Sequence, residues 1–176
     1  MKKTILVLFS VICIFSVFVF VVFNFVLFPK KYKVFIEKYS AEYNLDTAIV
    51  YAIANVESDF DKKAVSSAGA RGVMQLMPST AGWIAGELGE EYNETGLFDA
   101  ETNIKYGCFY LRYLLDKFCD VWVAVAAYNA GEGVVREWLN EDGLLNEDAI
   151  SYGETKKYVS KVRRCYWVYK NSEFAS

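Results

Sequence analysis

The sequence contains no histidine. This absence excludes Ser-His-Asp and Cys-His catalytic mechanisms, together with every zinc site that uses a histidine ligand. The net charge is only −3 and the two signs are mixed, so the chain lacks the basic footprint that binds nucleic acid. Any catalysis therefore has to rest mainly on carboxylates or hydroxyls.

Proline is also scarce, with two residues in 176, whereas aromatic residues make up 17% of the chain. This composition favours a compact helical domain with aromatic packing over a disordered chain. We expect no metal site, because the sequence has neither histidine nor a CxxC pair. Nothing in the sequence calls for a cofactor.

Charge is absent from one long stretch near the N-terminus, Thr4–Phe28. About 20 apolar residues cross the hydrocarbon core of a bilayer, so this stretch is long enough to span one. Its bulky end, Phe25–Phe28, does not suit the small residues of a signal-peptide cleavage site. We predict an uncleaved single-span anchor over residues 1–30, followed by one domain over residues 31–176.

Basic residues flank this stretch on both sides, so the positive-inside rule leaves its orientation open. Lys2 and Lys3 precede it, and Lys30, Lys31 and Lys33 follow it.

Helical spacing of apolar residues recurs along the rest of the chain, and no convincing alternating strand pattern occurs. Asp46 and Asp99 are suitable N-caps for two of the helices. The segments 89–98 and 140–152 are predicted to be irregular. The domain is therefore predicted to be mainly α, with helices over residues 32–43, 47–58, 78–88, 100–118, 121–130, 134–139 and 154–170.

Three cysteines lie outside the apolar stretch. Helical rise separates Cys108 from Cys119 by about 16 Å, and a disulfide needs Cα atoms within about 7 Å. A bridge would therefore require Cys165, and Cys119 is the preferred partner because it lies at a helix end. The alternative is that all three are buried small hydrophobic residues.

Glu57 lies in the last turn of a predicted helix, on the same face as Val50 and Ile53. Partial burial and the negative end of the helix dipole both raise the pKa of a carboxyl group. A raised pKa favours the protonated form that a general acid needs. An exposed glutamate at a frayed helix end is the alternative, and position alone does not decide between the two.

Four motifs follow one another along the chain. They are Glu57-Ser58 with Ser66 and residues 69–78 (GARGVMQLMP); Asp99 with Asn103, Gly107, Tyr110 and Leu111; residues 126–131 (AAYNAG); and Glu154-Thr155 with Tyr158 and Val159. In this order they resemble the motifs of the soluble lytic transglycosylase (SLT) family, which has a lysozyme-like catalytic domain of the goose type. The resemblance covers about Tyr32–Tyr169.

The resemblance implies a peptidoglycan lytic transglycosylase, which cleaves the β-1,4 bond between N-acetylmuramic acid and N-acetylglucosamine. It implies that Glu57 acts first as general acid and then as base, forming a 1,6-anhydromuramic acid end without consuming water. Ordinary glycosidases need paired carboxylates, and no second acid stands out here. Asp59 and Asp61 are interpreted as parts of a solvated turn.

The resemblance also implies a set of substrate-binding residues. Ser66 would bond to Glu57 or to the sugar. The alternative is that this role belongs to the adjacent Ser67. Each of the other positions also has a structural alternative. For Gln75 and Met77 it is packing at the start of a helix, and for Tyr128 and Asn129 it is hydrogen bonding to backbone groups. For Glu154 it is the role of an ordinary acid in the first turn of a helix. The full set is Ser66, Gln75, Met77, Tyr128, Asn129 and Glu154.

Peptidoglycan lies outside the cytoplasmic membrane, so the resemblance places the domain on the extracytoplasmic side with Lys2 and Lys3 inside. The lysines that follow the span would then adhere to anionic lipid head groups, and a Cys119–Cys165 bridge would be permitted. Rival functions are a lysozyme-type muramidase, a non-catalytic peptidoglycan-binding envelope protein, and a membrane-anchored adaptor without a sugar ligand. The sequence leaves open the mode of cleavage (endo or exo), the need for stem peptides, the biological process and the oligomeric state.

Overall fold

The computed structural model describes residues 2–21, 28–140 and 153–173 of the chain. The chain divides into two compact units, Met1–Lys31 and Tyr32–Ser176. The first unit contains helix α1, Lys2–Val21. Among the described residues, no helix combines the length and the apolar character needed to cross a membrane. The predicted span Thr4–Phe28 includes residues 22–27, which lie outside the described ranges, so the membrane anchor stays a prediction.

The second unit is built from helices joined by irregular segments. A short 3-10 helix, Glu94–Phe98, lies in the predicted irregular segment before α5. The α-helices of this unit are α2 Lys33–Glu42, α3 Thr47–Ser58, α4 Pro78–Leu88, α5 Ala100–Phe118, α6 Val121–Ala130, α7 Glu132–Arg136 and α8 Gly153–Glu173.

The observed helices confirm a mainly α domain. The bounds of α3, α4, α5 and α6 match the predicted ones. Both predicted N-caps are confirmed, because Asp46 accepts a hydrogen bond from the Ala48 N–H and Asp99 accepts one from the Thr102 N–H.

The predicted bounds of α7 are wrong, since the helix begins at Glu132 and ends at Arg136. The predicted helix began after Gly133, but the first helical turn needs few intrahelical bonds from its N–H groups and tolerates glycine. Most of the predicted loop at 140–152 lies outside the described residues.

Helix α3 forms the centre of the unit, because every residue from Ala48 to Ala54 is buried. Helix α8 packs along α3, and the Tyr51 and Tyr169 rings stack with their centroids 5.1 Å apart. Helix α6, apolar on nearly all sides, packs against both α5 and α8. The end of α3 is therefore enclosed by elements that are distant in sequence.

The cysteines match neither prediction, because they are neither bridged nor all buried. Within the described structure all of them are free thiols, so the preferred Cys119–Cys165 bridge is not formed. Cys108 is buried as expected, but Cys119 is exposed because it caps the C-terminal end of α5 at the surface. Cys165 is half-buried, and its Sγ donates to Asn55 Oδ1 at 3.5 Å.

Candidate active site at the end of helix α3

Glu57 occupies the last turn of α3, which ends where Asp59 adopts a left-handed backbone with φ 52°. The Tyr158 hydroxyl of α8 donates a hydrogen bond to Glu57 Oε1 at 2.7 Å. Burial raises the pKa of Glu57 to about 7, although the hydrogen bond from Tyr158 lowers it. Near neutral pH the carboxyl group is therefore populated in both its protonated and its ionised form, as proton transfer in either direction requires.

Tyr128 lies close enough to Glu57 to sense its charge. Burial first, and then the negative charge of Glu57, raise the pKa of the Tyr128 phenol well above its ordinary value. Its hydroxyl donates to the Met74 carbonyl oxygen at 2.9 Å. Tyr128 is thus a neutral, oriented side chain that joins α6 to the segment preceding α4.

That segment, residues 71–77, is named here the wall segment, and side chains from three helices hold its backbone. Asn103 is fully buried on α5 and accepts a hydrogen bond from the Met74 N–H at 2.7 Å. The same amide donates to the carbonyl oxygens of Arg71 and Leu97. Ser58 donates to the Val73 carbonyl at 2.7 Å. Such saturated bonding fixes the wall segment next to Glu57.

Two glycines permit this close packing. Gly72 has a φ of +78°, and a Cβ atom there would clash with the Leu97 carbonyl and the Asn103 side chain. A Cβ atom on Gly107 of α5 would clash with the Met74 side chain. These positions need glycine for the approach of the wall segment to α5.

A cavity of about 260 Å³ lies beside the wall segment. Four of the predicted substrate-binding residues line it together. They are Gln75, Met77, Tyr128 and Asn129, and the rest of the lining is Leu76, Thr80, Tyr110, Ala130 and Gly131. Tertiary structure thus brings predicted site residues of the first and third motifs to one depression.

Gln75 has a structural task as well as a place in this cavity. Its Nε2 donates to the carbonyl oxygens of Gly72 at 2.9 Å and Ala64 at 3.2 Å, and its backbone has φ 48°. Met77, by contrast, is 39% exposed at the N-cap of α4. Gln75 therefore shapes the loop, whereas Met77 offers an apolar contact surface.

Asn129 is exposed, and its Oδ1 accepts a hydrogen bond from the buried Thr155 hydroxyl at 2.9 Å. Thr155 and Tyr158 were both missed as site residues. The available signal was their place in the last of the four motifs, where only Glu154 was assigned to substrate binding. Both side chains connect α8 to the site.

Glu154 is exposed in the first turn of α8, four residues before Tyr158. That spacing puts the two side chains on one helix face, so Glu154 lies about one turn from the residue that bonds to Glu57. Its predicted contact with substrate stays a prediction.

Ser66 is half-buried, and its Oγ accepts a hydrogen bond from the Ala70 N–H at 3.0 Å. In the described structure no hydrogen bond joins Ser66 or Ser67 to Glu57. Ser67 is exposed, as are Asp59 and Asp61 in the turn after α3. Within the described ranges, no cluster of three or more acidic, cysteine or histidine side chains is arranged to hold a metal ion.

A family model described as the transglycosylase SLT domain matches residues 34–151. The soluble lytic murein transglycosylase of Escherichia coli is 36% identical over 143 residues, which cover 77% of this chain and 22% of that protein. The membrane-bound lytic murein transglycosylase C of Haemophilus ducreyi is 30% identical over 156 residues, covering 78% of this chain and 42% of that one.

Solved structures give the same result. An inactive mutant of the lytic transglycosylase Slt from Pseudomonas aeruginosa has a TM-score of 0.77 and 31% identity, covering 84% of this chain and 25% of that one. A 70-kDa soluble lytic transglycosylase in complex with bulgecin A has a TM-score of 0.75 and 30% identity, covering 85% and 25%. This chain thus spans about a fifth to two fifths of the lengths of these relatives. The matched family model and the identity with these relatives show that the chain belongs to the transglycosylase SLT domain family.

Proposed function

We propose that this protein is a peptidoglycan lytic transglycosylase with Glu57 as its catalytic acid and base. The observation that carries the proposal is a half-buried glutamate whose pKa is about 7, bonded to Tyr158 and close to a cavity-lining tyrosine. Relatives named lytic murein transglycosylases support the choice of reaction and substrate.

In the proposed reaction, protonated Glu57 donates its proton to the glycosidic oxygen as the bond from that oxygen to C1 of the muramic acid breaks. The substrate's own N-acetyl group stabilises the positive charge that develops at C1. The Glu57 carboxylate then removes the proton from the C6 hydroxyl, whose oxygen bonds to C1 and closes the 1,6-anhydro ring. Glu57 ends protonated and no water is consumed. A pKa near 7 suits both proton transfers.

The surrounding residues orient the carboxyl group and the sugar. Tyr158 fixes one carboxylate oxygen, and Tyr128, which is close enough to sense the charge of Glu57, bonds through its hydroxyl to the wall segment. Gln75, Met77 and Asn129 line the cavity that would hold the sugar next to the cleaved bond. Ser66 and Glu154 are assigned to the margins of the same cleft.

Mass spectrometry of digested peptidoglycan tests this proposal, because only a lytic transglycosylase leaves anhydromuramic acid ends. We expect the parent chain to form them and Glu57→Gln to form none. Asp59→Asn is the matched control, since it makes the same acid-to-amide change at an exposed position two residues away. Hydrated reducing ends would instead indicate a muramidase, and binding without cleavage would indicate a non-catalytic envelope protein.

We further propose that residues 1–30 anchor the chain in the cytoplasmic membrane, with the family domain on the extracytoplasmic side. Support comes from the uncharged run Thr4–Phe28 and from the membrane-bound name of one relative. Fractionation of cells that express the full chain should place it with the membranes, whereas a chain that begins at Tyr32 should be released. External protease should remove the domain from spheroplasts. Full recovery of the intact chain in the soluble fraction would contradict the anchor.

A further inference from the structure

The outer face of α8 carries a row of basic side chains that ends in a tryptophan, and it is named here the α8 row. Its members are Lys157, Lys161, Arg164 and Trp167, which are all exposed. They follow one another at spacings of three or four residues, so they lie on one face of the helix. At the rise of an α-helix the row is about 15 Å long. The other face of α8 holds the buried side chains that pack on α3 and α6.

Positive charge is concentrated on this helix. The chain as a whole has a net charge of −3, yet the range of α8 contains six basic and two acidic residues. Among the described residues, no ion pair includes a basic member of the α8 row. Asp46, the acid at the start of α3, bonds instead to Tyr166 and Lys170. Apart from Glu154, one turn before Lys157, the row therefore presents positive charge to its surroundings.

Aromatic rings adjoin these basic side chains. Trp167 is 55% exposed, and its ring centroid lies 5.3 Å from that of Tyr166. Tyr166 in turn lies 5.7 Å from Trp122 of α6, and the Arg163 guanidinium lies 4.7 Å from the centroid of the Trp122 ring. Tryptophan and tyrosine collect at the head-group level of bilayers, because their rings combine an apolar body with a polar edge. The exposed Trp167 thus adds an interfacial side chain to a row of cations.

The α8 row begins at the end of α3 where the chain enters the domain. Tyr158, next to Lys157 in sequence, bonds to Glu57 in the last turn of α3. Burial, and then the negative charge of Asp61, raise the pKa of Tyr32, the first residue of the second unit. The starts of α2 and α8 therefore share one end of α3. The proposed span ends four residues before Tyr32 in sequence, and four residues reach at most about 14 Å.

We propose that the α8 row is a docking surface for the anionic head groups of the membrane in which the chain is anchored. Its three cations contact lipid phosphates, and the Trp167 ring enters the head-group layer. The inference rests on the proposed anchor, which supplies lipid at a high effective concentration, so that a small surface suffices for docking. Docking keeps the end of α3 that bears Glu57 close to the lipid and restricts cleavage to nearby glycan strands.

Tryptophan fluorescence of the full chain in phospholipid vesicles tests the docking. The vesicles combine phosphatidylcholine, phosphatidylglycerol in increasing amounts, and a lipid brominated near its head group, which quenches tryptophan at the interface. The contribution of Trp167 is the difference between the parent and Trp167→Phe. We expect its quenching to be at least about fivefold greater in vesicles rich in phosphatidylglycerol than in vesicles without it. Sodium chloride at about 1 M, where the Debye length is about 3 Å, should abolish this quenching.

Charge variants test whether the row itself is responsible. Lys157→Gln/Lys161→Gln should weaken docking at least about tenfold, whereas Arg164→Lys keeps its charge and should stay within about twofold of the parent. Lys62→Gln/Lys63→Gln is the matched control, since it removes two exposed lysines from the turn after α3. This control should leave the quenching of Trp167 unchanged. Equal losses for the two double variants would reduce the effect to net charge and overturn docking through the α8 row.

The docking and the anchor fail separately. A parent chain that floats with anionic vesicles while Trp167 stays unquenched would overturn the docking and leave the anchor standing. If high salt releases the chain from the vesicles as well as abolishing the quenching, the anchor is refuted and the docking stands. Binding to inorganic polyphosphate that depends on Lys157 and Lys161, with no quenching in any vesicle, would make the row a site for phosphate polymers. That result would also overturn docking on lipid.

Discussion

Glu57 and Glu132 are the same residue type in two adjoining regions, yet their pKa values move in opposite directions. Burial raises the pKa of Glu57 to about 7, and among the described residues no cation contributes to this shift. Glu132 lies at a groove wall, where the hydrogen bond from Lys117 lowers its pKa. A carboxyl group that exchanges protons near neutral pH is suited to proton transfer, whereas one that stays ionised is suited to accepting hydrogen bonds. A pKa near 7 is what the proposed proton transfers at Glu57 need, whereas an ionised Glu132 is suited to accepting hydrogen bonds in the groove between α4, α5 and α7.

The largest expected contrast is in activity. Glu57→Gln should lower kcat on peptidoglycan by about 10²–10⁴-fold, the typical contribution of general acid–base catalysis. Glu132→Gln keeps a side chain of the same shape and should lower kcat by less than about threefold, because its loss of a charged acceptor affects binding. Release of soluble muropeptides measures both. Comparable losses for the two variants would erase the distinction between the regions.

Asn103 tests whether the first region depends on a rigid wall segment. Asn103→Ala leaves the buried Met74 N–H and two carbonyl oxygens without their partner, so we expect the free energy of unfolding to fall by about 3 kcal/mol. Urea unfolding followed by circular dichroism measures it. Asn93→Ala is the matched control at an exposed cap and should cost about 1 kcal/mol or less. Equal losses would argue against a special role of Asn103.

The raised pKa of Glu57 also predicts how stability depends on pH. Between the ordinary value of 4.5 and about 7, the folded state binds more protons at this residue than the unfolded state does. The contribution of Glu57 to the free energy of unfolding therefore falls as pH rises through this window. Glu57→Gln removes that loss, so the variant should gain about 1–3 kcal/mol relative to the parent between pH 4 and pH 8. Denaturant unfolding at both pH values measures the gain, and a constant difference would contradict a raised pKa.

The smallest expected effect concerns Tyr158. Its hydrogen bond lowers the pKa of Glu57, so Tyr158→Phe should raise that pKa further and move the alkaline limb of the pH–rate profile upward by about 0.5–1 unit. A merely structural loss would lower the rate at every pH without moving the limb. Tyr166→Phe on the same helix removes the hydrogen bond to Asp46, at the opposite end of α3, and should leave the limb in place.

The helices of the domain were predictable because their signals are local. Asp46 and Asp99 supply caps, Pro78 begins α4, and the apolar spacing of α5 sets its length. The bounds of α7 were not predictable in the same way, since a five-residue helix depends on what packs around it. The exposed position of Cys119 likewise depends on where α5 meets the surface.

The site residues likewise divide into those with a local sequence signal and those that depend on packing. The sequence singled out Glu57 from its place at the end of an apolar helix face and from the motif around it, and its catalytic role stays a proposal. Its partner Tyr158 is 101 residues away in sequence and belongs to the packing stripe of another helix. The sequence motifs singled out neither Glu132 nor Lys117. Only the packing of α4, α5 and α7 puts Glu132 in an aromatic groove.

The sequence by itself determined the helical class, most helix bounds, the lack of histidine chemistry and the choice of Glu57, because each depends on composition or on neighbours within a few turns. The tertiary structure decided the pKa of that glutamate, since desolvation arises only when α8 closes over the end of α3. It also turned Asn103 and Gly107, two letters of a motif, into the support of the wall segment. Burial and hydrogen-bond partners are properties of the packed chain, and no local pattern specifies them.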